Sequence, residues 1–190
     1  MPESSNQLRI IGGTWRGRKL RFANAPGLRP TLDRVRETVF NWLQFDIGGS
    51  CCLDCFAGSG ALGFEALSRG AAHVDMLEIN RRAAQTIVQN LQILQVNNAK
   101  LYPQDADRFL NNPATRENRS YNVVFLDPPF RKGMLAEYIK KLEQSGCMQQ
   151  QCLVYIETEK ELLLDFLSSD WQQLKHKQSG QTAFYLYQYC

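Results

Sequence analysis

The chain predicts an α/β fold: a mostly parallel, seven-stranded sheet with helices on both faces, a C-terminal antiparallel hairpin closing one edge, and a short basic N-terminal extension. Three observations predict it. From Cys51 onward, short apolar or β-branched runs alternate with stretches of helical periodicity. A glycine-rich turn, Gly58-Ser59-Gly60, stands between the first such run and the first helical stretch. The last residues, Trp171 to Tyr189, read as two strands turning at Ser179-Gly180.

Taken in order, residues 8–22 form an extended or hairpin segment turning at Gly12-Gly13 or Gly17, and Pro26-Gly27 and Pro30 punctuate the loop behind it. Thr31 suits the cap of a helix whose apolar residues, Leu32, Val35, Val39, Trp42 and Leu43, recur at helical spacing and which stops near Gly48-Gly49. Strands are expected at 51–55, 73–78, 99–103, 121–126 and 152–157. Helices are expected at 60–69, 80–94 (capped by Asn80), 105–111 and 133–144, with another at 159–168 behind the fifth strand. In sheets of this kind ligands sit beyond the carboxyl ends of the strands. The residues to inspect are therefore Asp54 to Gly60, Glu78, Asp105 and Asp127 to Phe130.

Composition bounds the class. A chain of 190 residues with 44% hydrophobic and 22% charged residues is a globular domain with a sizeable core. No apolar run approaches the roughly 18 residues of a membrane span. The start, MPESSNQLRI, lacks the apolar core of a secretory signal, so the expected location is cytoplasmic, and there the six cysteines are thiols. The formal net charge of +3 is uneven: Arg9, Arg16, Arg18, Lys19, Arg21, Arg29, Arg34 and Arg36 face only Glu3 and Asp33 within residues 1–36. A basic segment on an acidic body points to a polyanionic partner, although solvated loop arginines account for the same charges.

The stretch CCLDCFAGSGALG, residues 51–63, admits three readings. Cys52 and Cys55 form a Cys-x-x-Cys pair, yet Asp54 and Cys55 finish a strand rather than opening a helix, and a zinc site needs more ligands than they supply. Compact buried thiols on a central strand account for them, and no metal is expected. Gly58 and Gly60 let the backbone turn tightly and let a ligand approach. Glu78, 20 residues after Gly58, offers a carboxylate to both ribose hydroxyls of a nucleoside cofactor. A dinucleotide needs a second nucleotide site and catalytic machinery, and the two histidines, His73 and His176, end no predicted strand.

Asp127-Pro128-Pro129-Phe130 discriminates further. Two prolines fix the backbone just past a strand and remove two donors. The Asp127 carboxylate and the Pro128 carbonyl then serve as acceptors for an exocyclic amine, with Phe130 as a stacking face. A rigid turn ending a strand is the bland alternative. These motifs, Asp54-x-Phe56-Ala57-Gly58-x-Gly60, Glu78, Asp105 and Asp127-Pro128-Pro129-Phe130, resemble the class I, Rossmann-like methyltransferases of amino groups. RIIGGTWRGRKL (9–20), RPTLDRVRETVFNWL (29–43) and LDCFAGSGALGFEALSRGA resemble more narrowly the RsmD-type 16S rRNA guanine-N2 methyltransferases, over essentially the whole chain.

The resemblance implies a monomer that methylates a guanine of 16S rRNA in the assembled small ribosomal subunit, using S-adenosylmethionine. It implies that Gly58 and Gly60 flank the methionine portion, with Asp54, Phe56 and Ala57 in the same site. Glu78 then takes the ribose hydroxyls, and Asp105, beside Ala106, takes the adenine amino group. Asp127, Pro128 and Phe130 hold the target amine. Arg16, Arg18, Lys19, Arg21, Arg29, Arg34 and Arg36 contact RNA phosphates, so residues 1–30 form a basic RNA-contacting extension and 31–190 the methyltransferase domain. Arg34 and Arg36, on a helix, also suit pairing with Glu37 or body carboxylates. Rival substrates are DNA adenine and a protein glutamine, whose related motifs commonly start with Asn; a non-catalytic assembly factor that keeps the pocket is a further alternative.

Overall fold

The computed structural model describes residues 6–23, 33–129 and 133–190. A small antiparallel hairpin of β1 (Gln7–Arg9) and β2 (Lys19–Arg21) precedes α1 (Asp33–Trp42). Then follow β3 (Cys51–Asp54), α2 (Ala61–Ser68), β4 (His73–Leu77), α3 (Arg81–Ile93), β5 (Ala99–Tyr102), α4 (Ala106–Leu110), a 3-10 turn at Pro113–Arg116, β6 (Tyr121–Leu126), α5 (Leu135–Ser145), β7 (Met148–Glu159), β8 (Trp171–Ser179) and β9 (Thr182–Tyr189).

The main sheet has seven strands in the order β5-β4-β3-β6-β7-β9-β8. Strands β3 to β7 are parallel, and the β8/β9 hairpin adds antiparallel to β7. This is the Rossmann-like arrangement of class I methyltransferases. The chain steps outward from β3 through β4 to β5, then crosses back to β6 on the other side. The switch point thus falls beyond the carboxyl ends of β3 and β6, where such sheets bind ligands.

Each face of the sheet buries one apolar cluster. Val39, Phe40, Leu62, Phe64, Met76, Ile87, Phe125 and Tyr155 belong to the first, which also takes in Leu8, Ile10 and Leu20 of the hairpin segment. Phe109, Tyr138, Ile139, Leu142, Leu126 and Ile156 belong to the second. The central strands have both sides buried, which is why they read as continuous apolar runs rather than alternating ones.

Three expectations need correction. No helix forms at 159–168: β7 continues to Glu159 because Cys152 to Glu159 pair with β9, and the following residues make only isolated turns such as Leu162 N to Glu159 O. Leu162, Leu164 and Leu167 pack against the second cluster without a helical ladder, so tertiary pairing overrides the local pattern. Helix α1 ends at Trp42 rather than near Gly48, giving way to turns in which Asp46 N and Ile47 N both donate to Leu43 O. The start of β7 at Met148 lies in a polar Gln-Gln-Gln run whose register with β6 shifts between Tyr121 and Val123, with Gln151 at φ 60°. The expected Thr31 cap lies outside the described residues, whereas Asn80 caps α3 as expected, accepting from Arg82 N and Ala83 N.

Candidate active site

The turn after β3 is built around Gly60, whose φ of 78° is left-handed and whose missing Cβ would stand 2.5 Å from the Phe64 ring. Only glycine meets both conditions at once. The turn is tied to the end of β4 at two points: Ala57 N donates to Leu77 O, and Gly58 N donates to Glu78 Oε2 at 2.7 Å. Asn80 N donates to the other oxygen, Oε1, at 2.6 Å. Each Glu78 oxygen keeps a further lone pair, so a rigidly aimed carboxylate still has acceptor capacity for a ribose diol. Burial raises its pKa, opposed by the two amide bonds. The donor chemistry and the glycine cradle therefore fit an adenosyl cofactor.

Asp54 lies beneath the turn, buried, and accepts from Gly63 N at 3.2 Å. Burial lifts its pKa to about 7 despite hydrogen bonds from the Gly63 and Phe56 amides, and the Glu78 charge adds to the rise. Asp105 caps α4, and its Oδ1 accepts both from Asp107 N at 2.7 Å and from Tyr138 Oη at 3.0 Å. The ring of Tyr138 meets Phe56 edge-on at 4.9 Å, and Ala106 is buried beside Asp105. Phe56, Asp105 and Tyr138 thus form one corner beyond β3 and β5. Tyr138, on α5, escaped the sequence reading because its distance along the chain gave no sign of this contact.

Beyond β6, Asp127 and Pro128 lead into a cleft of about 510 Å³ lined by Pro128, Pro129, Met134, Glu157, Glu159 and Glu161, among others. Burial pushes the Asp127 carboxyl well above the usual carboxylate range, and the Glu157 and Asp54 charges push it further. Glu157 is likewise raised by burial, while Tyr155 Oη donates to its Oε2 at 2.7 Å and partly restores the anion. Sequence reasoning missed Glu157, although the carboxyl-end rule applied to the fifth strand points directly at it. Phe130 lies outside the described residues.

Of the basic residues, Arg16, Arg18, Lys19, Arg21 and Arg34 are exposed, and Arg29 lies outside the described residues. Arg36 is corrected: it is 1% exposed, and its Nη2 donates to Arg9 O and to Asp33 Oδ1, both at 2.7 Å. Its guanidinium joins the hairpin to α1 and is not available to a phosphate. The loop carrying Trp15, Arg16 and Arg18 is latched to α2. Glu65, with a fully buried side chain, accepts from Ile11 N and Gly12 N and binds Arg69 Nε at 2.8 Å. Ser68 accepts from Trp15 N through Oγ and from Thr14 N through its carbonyl. Gly13 (φ 73°) comes so close to the Ser68 carbonyl that a side chain would overlap it.

The cysteine pair is packing. Cys52 and Cys55 are buried, and burial pushes the Cys52 thiol up to about 12 and Cys55 well above its ordinary value, the reverse of a reactive thiolate. Among the described residues no helix is long and apolar enough to cross a membrane, and no three His, Cys, Asp or Glu side chains are grouped to hold a metal ion.

Comparison with known proteins gives this site its relatives. The family described as "Conserved hypothetical protein 95" matches residues 8–188. The "Ribosomal RNA small subunit methyltransferase D" of Escherichia coli K12 is 49% identical over 184 residues, 97% of this chain and 91% of that protein. The solved structure described as "Putative methyltransferase yhhF from Escherichia coli" superposes with a TM-score of 0.86 at 47% identity, covering 97% of this chain and 98% of that one. A putative S-adenosylmethionine-dependent methyltransferase from Streptococcus mutans shares the fold at a TM-score of 0.74 with 14% identity, over 98% of this chain and 56% of that one. The chain therefore belongs to the Conserved hypothetical protein 95 family, the RsmD-type methyltransferases.

Proposed function

We propose that the protein transfers a methyl group from S-adenosylmethionine to the exocyclic N2 amine of a guanine in 16S rRNA, acting as a monomer on the assembled small ribosomal subunit. The observation that carries the reading is a convergence. The glycine turn with its Glu78 partner and the Asp127-Pro128-Pro129 turn both stand at the carboxyl edge of the sheet, and the second opens on a cleft. Kinship at 49% identity to a protein named for ribosomal RNA small subunit methylation supports the substrate class.

When bound, S-adenosylmethionine supplies a methyl group on a sulfonium, already an excellent leaving group. The chain's own work is therefore alignment, which contributes on the order of 7–11 kcal/mol in favourable cases. Glu78 holds the ribose with both oxygens pre-aimed by Gly58 N and Asn80 N. Asp105, steadied by Tyr138, accepts from the adenine amine. Asp127 and the Pro128 carbonyl accept from the two N2 protons, and proline has no N–H to compete at that spot. Guanine N2 is a poor nucleophile, because its lone pair is delocalised into the ring. Held this way, the lone pair would be turned out of conjugation toward the bound cofactor. As the C–N bond formed and the sulfonium C–S bond broke, releasing the neutral thioether, N2 would become acidic and the Asp127 carboxylate would take its proton.

The base has to leave its stack to reach the cleft, which favours a loop or bulged nucleotide. Residues 1–30 serve as the RNA-contacting extension and 31–190 as the methyltransferase domain. Exposed Arg16, Arg18, Lys19, Arg21 and Arg34, with Arg29, supply phosphate contacts that position the substrate without reading its sequence.

The test is incubation with methyl-labelled S-adenosylmethionine and small subunits from cells lacking this enzyme, followed by digestion to nucleosides. N2-methylguanosine is expected, and Asp127→Ala should reduce its rate at least ~100-fold, as for loss of a group acting in proton transfer. Label in N6-methyladenine or in protein would replace the proposed substrate.

A further inference from the structure

We propose that Glu157 reads the ring N1–H of the target base, and that this contact makes the site accept guanine and reject adenine. The inference rests on the functional reading above and adds a specificity-determining residue to it.

The geometry begins with register. Leu126 and Ile156 are neighbours on the parallel strands β6 and β7, so Asp127 and Glu157 are the next residues along each strand. They stand together at the carboxyl edge. Glu157 is 9% exposed yet lines the cleft together with Pro128 and Pro129. Its carboxylate does not swing freely, because Tyr155 Oη holds Oε2 at 2.7 Å. Tyr155 is itself packed against Phe125, with ring centroids 6.4 Å apart. A second carboxylate, fixed in orientation, therefore stands beside the one that takes the amine.

Base chemistry then decides what this pair recognises. A donor edge placed against the pair draws both groups into their ionised form, and an ionised carboxylate is acceptor-only. In guanine the 2-amine is flanked by N1–H, so two adjacent positions present donors. In adenine and cytosine the amine is flanked by a ring nitrogen lone pair, which a carboxylate repels. Two neighbouring carboxylates thus match guanine and clash with the other amino bases. Glu159 and Glu161 add further negative charge to the lining, which repels phosphate. The cleft consequently admits a base while its backbone stays outside. Mutual repulsion between Asp127 and Glu157 also explains why a donor-rich edge is the ligand they want: its protons relieve the repulsion.

The test uses small subunits reconstituted with 16S rRNA that carries guanine or 2,6-diaminopurine at the methylated position. The analogue keeps the 2-amine but presents a lone pair at N1. The wild-type protein should prefer guanine in kcat/KM by ~10⁴-fold or more, the range for sites whose buried polar groups would be left unpaired. Glu157→Gln keeps the shape and the acceptor for Tyr155, and its amide donates to the analogue's N1. That variant should lose guanine activity and narrow the preference to ~10-fold or less, with S-adenosylmethionine affinity unchanged as the check on folding. A wild-type preference near unity overturns the proposal, as does a variant that slows both substrates equally. If the wild type makes no N2-methylguanosine on the guanine subunit, the functional reading itself has failed, and this inference falls with it.

Discussion

Asp127 and Asp54 are carboxyls kept where a charge is expensive. Both have pKa values lifted first by burial, Asp54 to about 7 and Asp127 well above its ordinary value. In the unfolded chain each ionises near 4. The folded protein therefore holds protons that the unfolded chain has already released. These groups contribute stability at low pH, and that contribution is lost as pH rises from about 4 through the folded values. Asp127→Asn removes one such group, so the variant should gain stability over the wild type progressively as pH rises, by ~2–4 °C in Tm for each kcal/mol recovered. On the proposed function activity follows the opposite course, because the target amine would need an ionised acceptor: the wild-type rate should climb with pH across the window in which stability declines. Thermal melts and initial rates on the same pH series check both trends. A constant Tm difference between variant and wild type would remove the burial explanation.

Among the elements, α2 carries two duties. Its first turn closes the glycine turn, and its later turns hold the N-terminal hairpin through Glu65 and Ser68. Glu65→Ala strands two backbone amides and Arg69, and loss of one partner from a buried ionic cluster costs about 3–5 kcal/mol. Urea denaturation should show that loss, and Glu65→Gln, which still accepts hydrogen bonds, should lose less. Nothing in the sequence announced this latch, because Glu65 lies 53 residues from Gly12 and reads as an ordinary polar residue on a helix. Helix α3 was legible for the converse reason: its cap, periodicity and apolar face are all local. The 159–168 segment misled because its leucines sit at helical spacing, while the competing partner strand β9 arrives only at Thr182.

At the scale of the whole molecule, the sheet was legible, and so were the glycine and proline turns at its strand ends, because these features are written locally and topology then gathers them at one edge. Tyr138 was not, since its contact with Asp105 exists only in the folded chain; Glu157 lay within reach of the carboxyl-end rule, but only strand register sets it beside Asp127. The hairpin latch has a consequence for the substrate. The eight residues of α2 start at the glycine turn and end at Ser68, where the loop bearing Arg16 and Arg18 is fastened. That separates the two by ~12 Å of helix. Short RNA fragments holding only the target base should be methylated poorly, and replacing Arg16, Arg18 and Lys19 by alanine should leave them unaffected. Whole subunits should bind tightly, and the same triple variant should weaken that binding and flatten its dependence on salt. Equal salt slopes for variant and wild type on subunits would refute the assignment. On the proposed reading the enzyme works as a calliper: two jaws set a fixed distance apart would gauge how the RNA is folded in space, so an unassembled transcript with the correct sequence but the wrong dimensions would be passed over.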